Sequence, residues 1–208
     1  MNTEILSALN TLALPRAIEV LQSGGLVAFP TDTVYGVGAL AFDGTAVESI
    51  YAAKGRPMEK AIPVLIGDAD DLAKVSAEVS EIALKLAVRF WPGPLTLVVL
   101  KHPDLPEAVS AAPTVGVRIP NHSVARALLR LAGPMAVTSA NLSGQPSPST
   151  AQEVFAQLGG RIALILDGGK TPGGVPSTVV DCVGAEPQVL RAGPIPKSEI
   201  LAVSGNKY

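Results

Sequence analysis

The sequence is poor in the residues that cross-link a chain or bind metals. Its 208 residues include one cysteine and two histidines. A single cysteine, Cys182, excludes an intramolecular disulfide and a four-cysteine zinc site. It lies in an apolar segment, where a free cysteine is usually part of the core. His102 and His122 lack the short spacing of a metal site, so we expect no protein-held metal.

Charged and aromatic residues are also scarce, at 16% and 4% of the chain, whereas hydrophobic residues make up 48%. This apolar content excludes disorder as the main state and predicts an aliphatic core. The net charge of -2 argues against nucleic-acid binding through overall basicity, although a local basic patch stays open. Because no apolar run reaches the ~18 residues of a membrane span and no signal peptide is recognisable, we expect a cytoplasmic protein without membrane contact.

Predicted strands and amphipathic helices alternate along the chain, an order that is typical of α/β proteins. Strands outnumber helices late in the chain, which favours a mixed sheet over a parallel one. No stretch has the composition of a linker, so one domain over 1–208 is expected. The predicted helices are 15–23, 45–54, 68–74, 78–90, 123–131, 150–158 and 197–203. The predicted strands are 26–29, 62–66, 95–100, 115–119, 135–138, 162–166, 178–183 and 188–190.

Polar stretches follow two of these strands, at the carboxyl ends where α/β sheets bind ligands. They are 30–38, with sequence PTDTVYGVG, and 138–144, with sequence TSANLSG. Each is equally consistent with a hydrogen-bonded turn. In Lys54-Gly55-Arg56-Pro57, two cations suit a phosphate clamp, but cations are also common at helix C-termini.

The segment 108–152 contains no acidic residue but three arginines, an excess that favours an anionic ligand. Arg126 and Arg130 have helical spacing and are better explained as a solvated face, which leaves Arg118. The common phosphate-loop and dinucleotide fingerprints are absent, and neither histidine accompanies a nucleophile elbow. A covalent nucleophile is therefore not expected.

Six motifs in a fixed order carry a family resemblance. They are PTDTVYG at 30–36, KGRP at 54–57, WPGPLT at 91–96, VRIP at 117–120, SANLSG at 139–144 and STVVD at 177–181. With them the chain resembles the threonylcarbamoyl-AMP synthase, or YrdC-like, family from about residue 15 to 203. The resemblance implies an α/β fold with a twisted mixed sheet flanked by helices and a concave basic surface. It also implies the short form of the family, without an additional C-terminal domain.

The resemblance further implies a nucleotidyl transfer in the cytoplasm. ATP, L-threonine and bicarbonate or carbon dioxide would give threonylcarbamoyl-AMP and pyrophosphate, for use by a separate transferase complex that modifies tRNA. The threonine amine would form a carbamate, whose oxygen attacks the α-phosphate without a covalent enzyme intermediate. Catalysis would then rest on positioning and electrostatics, with Mg²⁺ held mainly by the phosphates.

Site residues follow from the same resemblance. Lys54 and Arg56 match the family's KxR motif and would act electrostatically on the triphosphate, and Ser139 and Asn141 match its SxN motif. The expected ATP-binding residues are Lys54, Arg56, Thr96, Ser139, Asn141 and Arg191. The expected threonine-binding residues are Thr31, Arg118 and Ser177.

Two alternatives share this fold. One is the carbamoyl-adenylating domain of hydrogenase-maturation proteins, against which the single cysteine argues because those chains carry cysteine arrays. The other is an RNA-binding protein. The net charge and the few aromatics weigh against strong RNA binding, although weak tRNA binding stays open.

Overall fold

The computed structural model describes residues 2–173 and 175–204. Within these residues one sheet contains eleven strands. The strands are β1 (Glu4–Ser7), β2 (Val27–Phe29), β3 (Gly36–Leu40), β4 (Val64–Leu65), β5 (Ser76–Glu78), β6 (Leu95–Lys101), β7 (Thr114–Arg118), β8 (Met135–Ser139), β9 (Leu164–Asp167), β10 (Thr178–Asp181) and β11 (Gln188–Arg191). The helices are α1 (Ala13–Gln22), α2 (Gly44–Lys54), α3 (Leu72–Val75), α4 (Glu81–Phe90), α5 (Ser123–Ala132), α6 (Ala151–Leu158) and α7 (Lys197–Ser204), with a 3-10 turn at Ala69–Asp71.

The sheet is mixed, as the sequence predicts. Its order is β1-β9-β2-β3-β8-β4-β7-β6-β10-β11, and β5 pairs with β6 outside this path. The pairs β1–β9, β9–β2, β4–β7 and β6–β10 are parallel, whereas β3 is antiparallel to both β2 and β8. No described helix combines the length and apolar character of a membrane span.

Successive residues of the central strands contribute to opposite faces of the sheet. Phe29 and Met135 belong to the buried cluster that α1 and α5 cover. Ala28 and Ala136 belong to the cluster on the other face, which α2, α4 and α6 cover. Cys182 is buried in this second cluster, which confirms its predicted place in the core.

Three strands were not predicted, namely β1, β3 and β5. β3 is rich in glycine and follows a polar turn, so its composition gives a weak strand signal. β5 ends at Glu78, the residue at which a helix was predicted to begin. That helix begins instead at Glu81, because the Ser80 hydroxyl caps it by accepting a hydrogen bond from the Ala83 amide at 3.3 Å.

Glycine in β3 permits a close approach to β8. A methyl group placed on Gly38 would stand 2.7 Å from the Ala136 carbonyl oxygen and 2.7 Å from a methyl of Val137. Neither atom belongs to a flexible surface side chain, so the two strands would have to separate. Gly38 therefore serves strand packing, whereas Gly36 both packs against Val137 and lines the smaller of the two cavities described below.

Replacing Gly38 by alanine is expected to lower the free energy of unfolding by about 1–3 kcal/mol, because overpacking forces a backbone shift. Gly44→Ala is the matched control. Its methyl would meet Pro106 at an ordinary 3.4 Å, and alanine is the better helix former at the start of α2. Urea denaturation of both variants measures the difference. Equal stabilities would show that β3 and β8 are not in the described contact.

Candidate functional site

Polar residues from several elements meet around a cavity of about 240 Å³ at one edge of the sheet. Thr31 and Thr33 come from the turn after β2, and Arg118 and Ser139 are the last residues of β7 and β8. Seven of the nine predicted site residues line this cavity. They are Thr31, Arg56, Thr96, Arg118, Ser139, Ser177 and Arg191.

Hydroxyl groups in the cavity wall are fixed by hydrogen bonds. The buried Thr31 hydroxyl donates to the Val34 carbonyl at 2.7 Å and lies 3.0 Å from the Thr33 hydroxyl. The Thr33 amide donates to the same Thr31 oxygen at 3.2 Å. The hydroxyls of Thr96 in β6 and of Ser177, which immediately precedes β10, lie 2.8 Å apart. The wall therefore presents preorganised polar groups rather than mobile ones.

Arg118 is the most buried cation of the wall, with 6% of its surface exposed. Its Nε donates to the Gly93 carbonyl at 2.9 Å, and Nη1 donates to the Thr33 hydroxyl at 3.2 Å. Nη2 donates to the Asp32 carboxylate at 2.5 Å. Burial lowers the pKa of Arg118 and Asp32 opposes that shift. Of the five N–H donors of a guanidinium, two have no acceptor among the described residues and are available to a ligand.

Two further arginines complete the basic wall. Arg191 donates through Nε and Nη2 to the Ser177 carbonyl at 3.1 and 2.8 Å. Arg56 donates to the carbonyls of Lys60 and Ala61 at 3.1 and 3.0 Å. Burial lowers the pKa of both arginines. Backbone carbonyls hold these side chains without neutralising them, and the described residues lining this cavity include no carboxylate. Such a wall attracts anions.

Lys54 and Asn141 do not line the cavity. The buried Lys54 ammonium donates to the carbonyls of Ser139 and Asn141, while the Lys54 carbonyl accepts from the Ser143 amide at 2.9 Å. The Asn141 amide donates to the carbonyls of Leu142 and Gln145 at 2.7 and 2.9 Å. Their expected contacts with ATP stay predictions, because neither residue lines the cavity.

Burial also lowers the pKa of Lys54 and determines which carbonyls its side chain binds. Desolvation, and secondarily repulsion by Arg56, lowers the pKa of Lys54 to about 7. The side chain sits at the end of α2, but it binds the loop after β8 rather than the carbonyls of its own helix. Simple helix capping, one sequence-based explanation, therefore does not account for it.

A larger open cavity of about 800 Å³ adjoins the first one and shares Thr33 with it. Asp32, Trp91, Asn121 and Glu199 are among its lining residues. Sequence reasoning gave no role to Asp32 or Thr33, although both lie inside the first motif. Ser147, from the loop after β8, also lines the smaller cavity and had no predicted role.

Arg126 and Arg130 do not line the smaller cavity but form ion pairs with another residue. Both bind the carboxylate of Asp68 at 2.7 Å. Hydrogen bonds from Arg130 and Arg126 hold the pKa of Asp68 well below its usual range. The sequence-based interpretation of these two arginines as a solvated helix face is confirmed. Arg118 is thus the arginine of the acid-free segment that reaches the cavity.

Replacing Lys54 by methionine is expected to lower the free energy of unfolding by about 1–3 kcal/mol, because two buried carbonyls lose their donor. The Ser143 amide should lose hydrogen-exchange protection in the ligand-free protein. Lys60→Met is the control, since Lys60 is exposed and surface substitutions usually change stability by about 0.5 kcal/mol or less. Unchanged protection of Ser143 in the Lys54 variant would contradict the described anchoring of this loop.

The fold and the cavity define an α/β protein with a preorganised site for a compact anionic ligand. Sequence comparison gives the family. A family model for Sua5, YciO and YrdC proteins, described as "Telomere recombination", matches residues 19–193. The chain belongs to this family, as the resemblance predicts.

Individual relatives agree with this assignment. The chain is 46% identical over 199 residues to the threonylcarbamoyl-AMP synthase of Bacillus subtilis, covering 94% of this chain and 58% of that protein. It is 36% identical to the threonylcarbamoyl-AMP synthase of Vibrio cholerae, covering 86% of this chain and 97% of that protein. The structure of Pyrococcus abyssi Sua5 complexed with L-threonine matches with a TM-score of 0.90 and 42% identity, covering 97% of this chain and 60% of that one. The chain thus spans little more than half the length of some relatives.

Proposed function

We propose that this protein is an L-threonylcarbamoyladenylate synthase. It would form threonylcarbamoyl-AMP and pyrophosphate from L-threonine, bicarbonate or carbon dioxide, and ATP. The observation that carries the proposal is that a single cavity joins Arg118, with two free donors, to the phosphate-binding candidates Arg56 and Arg191. An amino acid and a polyphosphate need such groups side by side. The relatives named for this activity support the same reaction.

The amino-acid side of the site would be the wall around Arg118. Its two remaining N–H groups can donate to carboxylate oxygens, and such charge-assisted contacts are stronger than neutral ones. Thr31 and Ser177 flank it with hydroxyl groups. The Ser177 hydroxyl can bond a substrate hydroxyl, whereas Thr31 would first have to exchange one of its present hydrogen bonds to Val34 and Thr33. A pocket that bonds the hydroxyl distinguishes threonine from an apolar amino acid of the same shape.

The nucleotide side would be formed by Arg56, Arg191, Ser139 and Thr96. Two guanidinium groups and two hydroxyls supply donors for phosphate oxygens. Mg²⁺ would enter with ATP. Hard cations prefer carboxylate and carbonyl oxygens, and the described wall of this cavity offers arginines and hydroxyls instead. The residues present therefore do not form a metal site, and the phosphates and water would hold the ion.

Positioning would supply most of the catalysis. In the reaction with carbon dioxide, the unprotonated threonine amine forms the new C–N bond and its nitrogen gives a proton to solvent, leaving a carbamate. Starting from bicarbonate, one molecule of water is released in place of the proton. A carbamate oxygen then attacks the α-phosphorus, and pyrophosphate leaves. The arginines would hold two anions within reach of each other and offset their repulsion, a contribution that needs no covalent enzyme intermediate. The product would pass to a separate transferase that modifies tRNA.

The direct test is pyrophosphate release by the purified protein. Release should require ATP, L-threonine and bicarbonate together, and omission of either co-substrate should abolish it. At matched sub-saturating concentrations, the expected order of amino acids is threonine, then serine, then valine. Valine leaves polar groups unpaired at about 1–3 kcal/mol each, whereas serine lacks one methyl group worth about 1 kcal/mol. Equal rates with valine and threonine would refute a pocket that recognises the hydroxyl.

Arg56→Ala should lower kcat/KM for ATP about ten- to a hundredfold, because it removes a charge-assisted contact with phosphate. Folding should change little, since Arg56 is bonded only to carbonyls near the molecular surface. Arg130→Ala is the matched control, as its side chain binds Asp68 away from the cavity. Steady-state kinetics with varied ATP gives the comparison. Wild-type kinetics in the Arg56 variant would remove this residue from the nucleotide side.

A further inference from the structure

We infer that Asp32 is a positioning residue for amino-acid binding, acting through Arg118. This inference rests on the proposed function, because it assigns to Asp32 the task of aiming the guanidinium that would bind the substrate carboxylate. Asp32 belongs to the turn after β2, and its side chain is 14% exposed. Its Oδ1 accepts from Nη2 of Arg118, whose own side chain is 7% exposed.

The contacts of Arg118 show what Asp32 adds. The Gly93 carbonyl and the Thr33 hydroxyl hold Nε and Nη1, which leaves Nη2 to Asp32. Three acceptors on three different nitrogens fix the plane of the guanidinium, so the remaining N–H donors have a set direction. Without the Asp32 charge, Nη2 would lose its charged acceptor, and the guanidinium would be held mainly by the Gly93 carbonyl and the Thr33 hydroxyl.

The charges around the site explain why this acceptor is a carboxylate. Burial opposes the charge of Arg118, and the nearby positive charge of Arg191 opposes it further, whereas Asp32 favours it. A carboxylate inside the small cavity would repel an anionic substrate. Asp32 instead lines the larger cavity and reaches Arg118 from that side. The arrangement stabilises the arginine without placing a carboxylate among the described lining residues of the smaller cavity.

The same pair organises a second residue. Thr33 accepts from Arg118 and lies within hydrogen-bond distance of Thr31, so the carboxylate, guanidinium and two hydroxyls form one connected network. A shift of Arg118 would therefore disturb the hydroxyls that are expected to face the substrate. An effect of Asp32 should be larger on the amino acid than on the nucleotide, which meets Arg56 and Ser139 across the cavity.

The experiment is a double-mutant cycle with Asp32→Asn, Arg118→Met and the double variant. Asp32→Asn keeps the shape of the side chain and removes its charge. We expect KM for L-threonine to rise about ten- to a hundredfold, the loss typical of a charge-assisted hydrogen bond, with KM for ATP changed by less than about twofold. In the Arg118→Met background, the same replacement should add less than about twofold, because residues that act through each other are not additive. Asp70→Asn, an exposed replacement of the same kind, is the control.

Any of three kinetic results would overturn the inference. One is an unchanged KM for L-threonine in Asp32→Asn, and another is a cycle in which the two effects multiply independently. Equal increases of both KM values would also contradict it, since they indicate general damage to the site.

A ligand-free measurement separates this inference from the proposed function. In protein labelled with ¹⁵N-arginine, the Nη signals of Arg118, assigned by their loss in Arg118→Met, should be resolved in the wild type and should merge through faster rotation in Asp32→Asn. Merging in a protein that releases no pyrophosphate would leave the positioning role intact and refute the synthase activity. Unchanged signals would refute the positioning role whatever the activity.

Discussion

The antiparallel pairing of β3 with β8 is the constraint on which the rest of the site depends. Gly36 lies opposite Ser139 in this pairing, and the Tyr35 carbonyl accepts from the Ala140 amide at 2.8 Å just beyond it. The turn after β2 and the loop after β8 are therefore held at the same edge of the sheet. The Lys54 ammonium also holds the end of β8 and the loop that follows it, by donating to the carbonyls of Ser139 and Asn141. Two motifs that are about a hundred residues apart in the sequence become one wall.

Keeping three arginines near one another has an energetic cost, because burial disfavours each charge and like charges repel. The structure limits this cost with dipoles. Carbonyls of Gly93, Ser177 and Lys60 accept from the three guanidinium groups and orient them without adding a negative charge. Asp32 in addition balances the charge of Arg118. In the proposed function, an anionic ligand would neutralise the remaining positive charge. The arginines are thus already oriented in the folded protein, so that binding of an anion would require little further reorganisation of the site.

Much of this arrangement could be predicted from the sequence, because motif residues at strand ends meet at one edge of an α/β sheet. Seven of the nine predicted residues do line the cavity. The packing role of Gly38 could not be read from the sequence, since it depends on which strand lies beside β3. The burial of Lys54 could not be predicted from the sequence for a related reason. A lysine at a helix end ordinarily faces water, and only the loop after β8 supplies the two acceptors that allow it inside.

The sizes of the two cavities bear on how the proposed reaction would be accommodated. About 240 Å³ is less than the roughly 300–1,000 Å³ of a usual small-molecule site, so the smaller cavity has room for the reacting groups but not for two whole substrates. The larger cavity adjoins it at Thr33 and is open. Only the amino acid and the phosphates would then need to lie among the arginines, while the rest of the nucleotide extends outward. Such a division places the strongest electrostatic field where the new bond forms, and this is the part of the reaction in which two anions must approach each other.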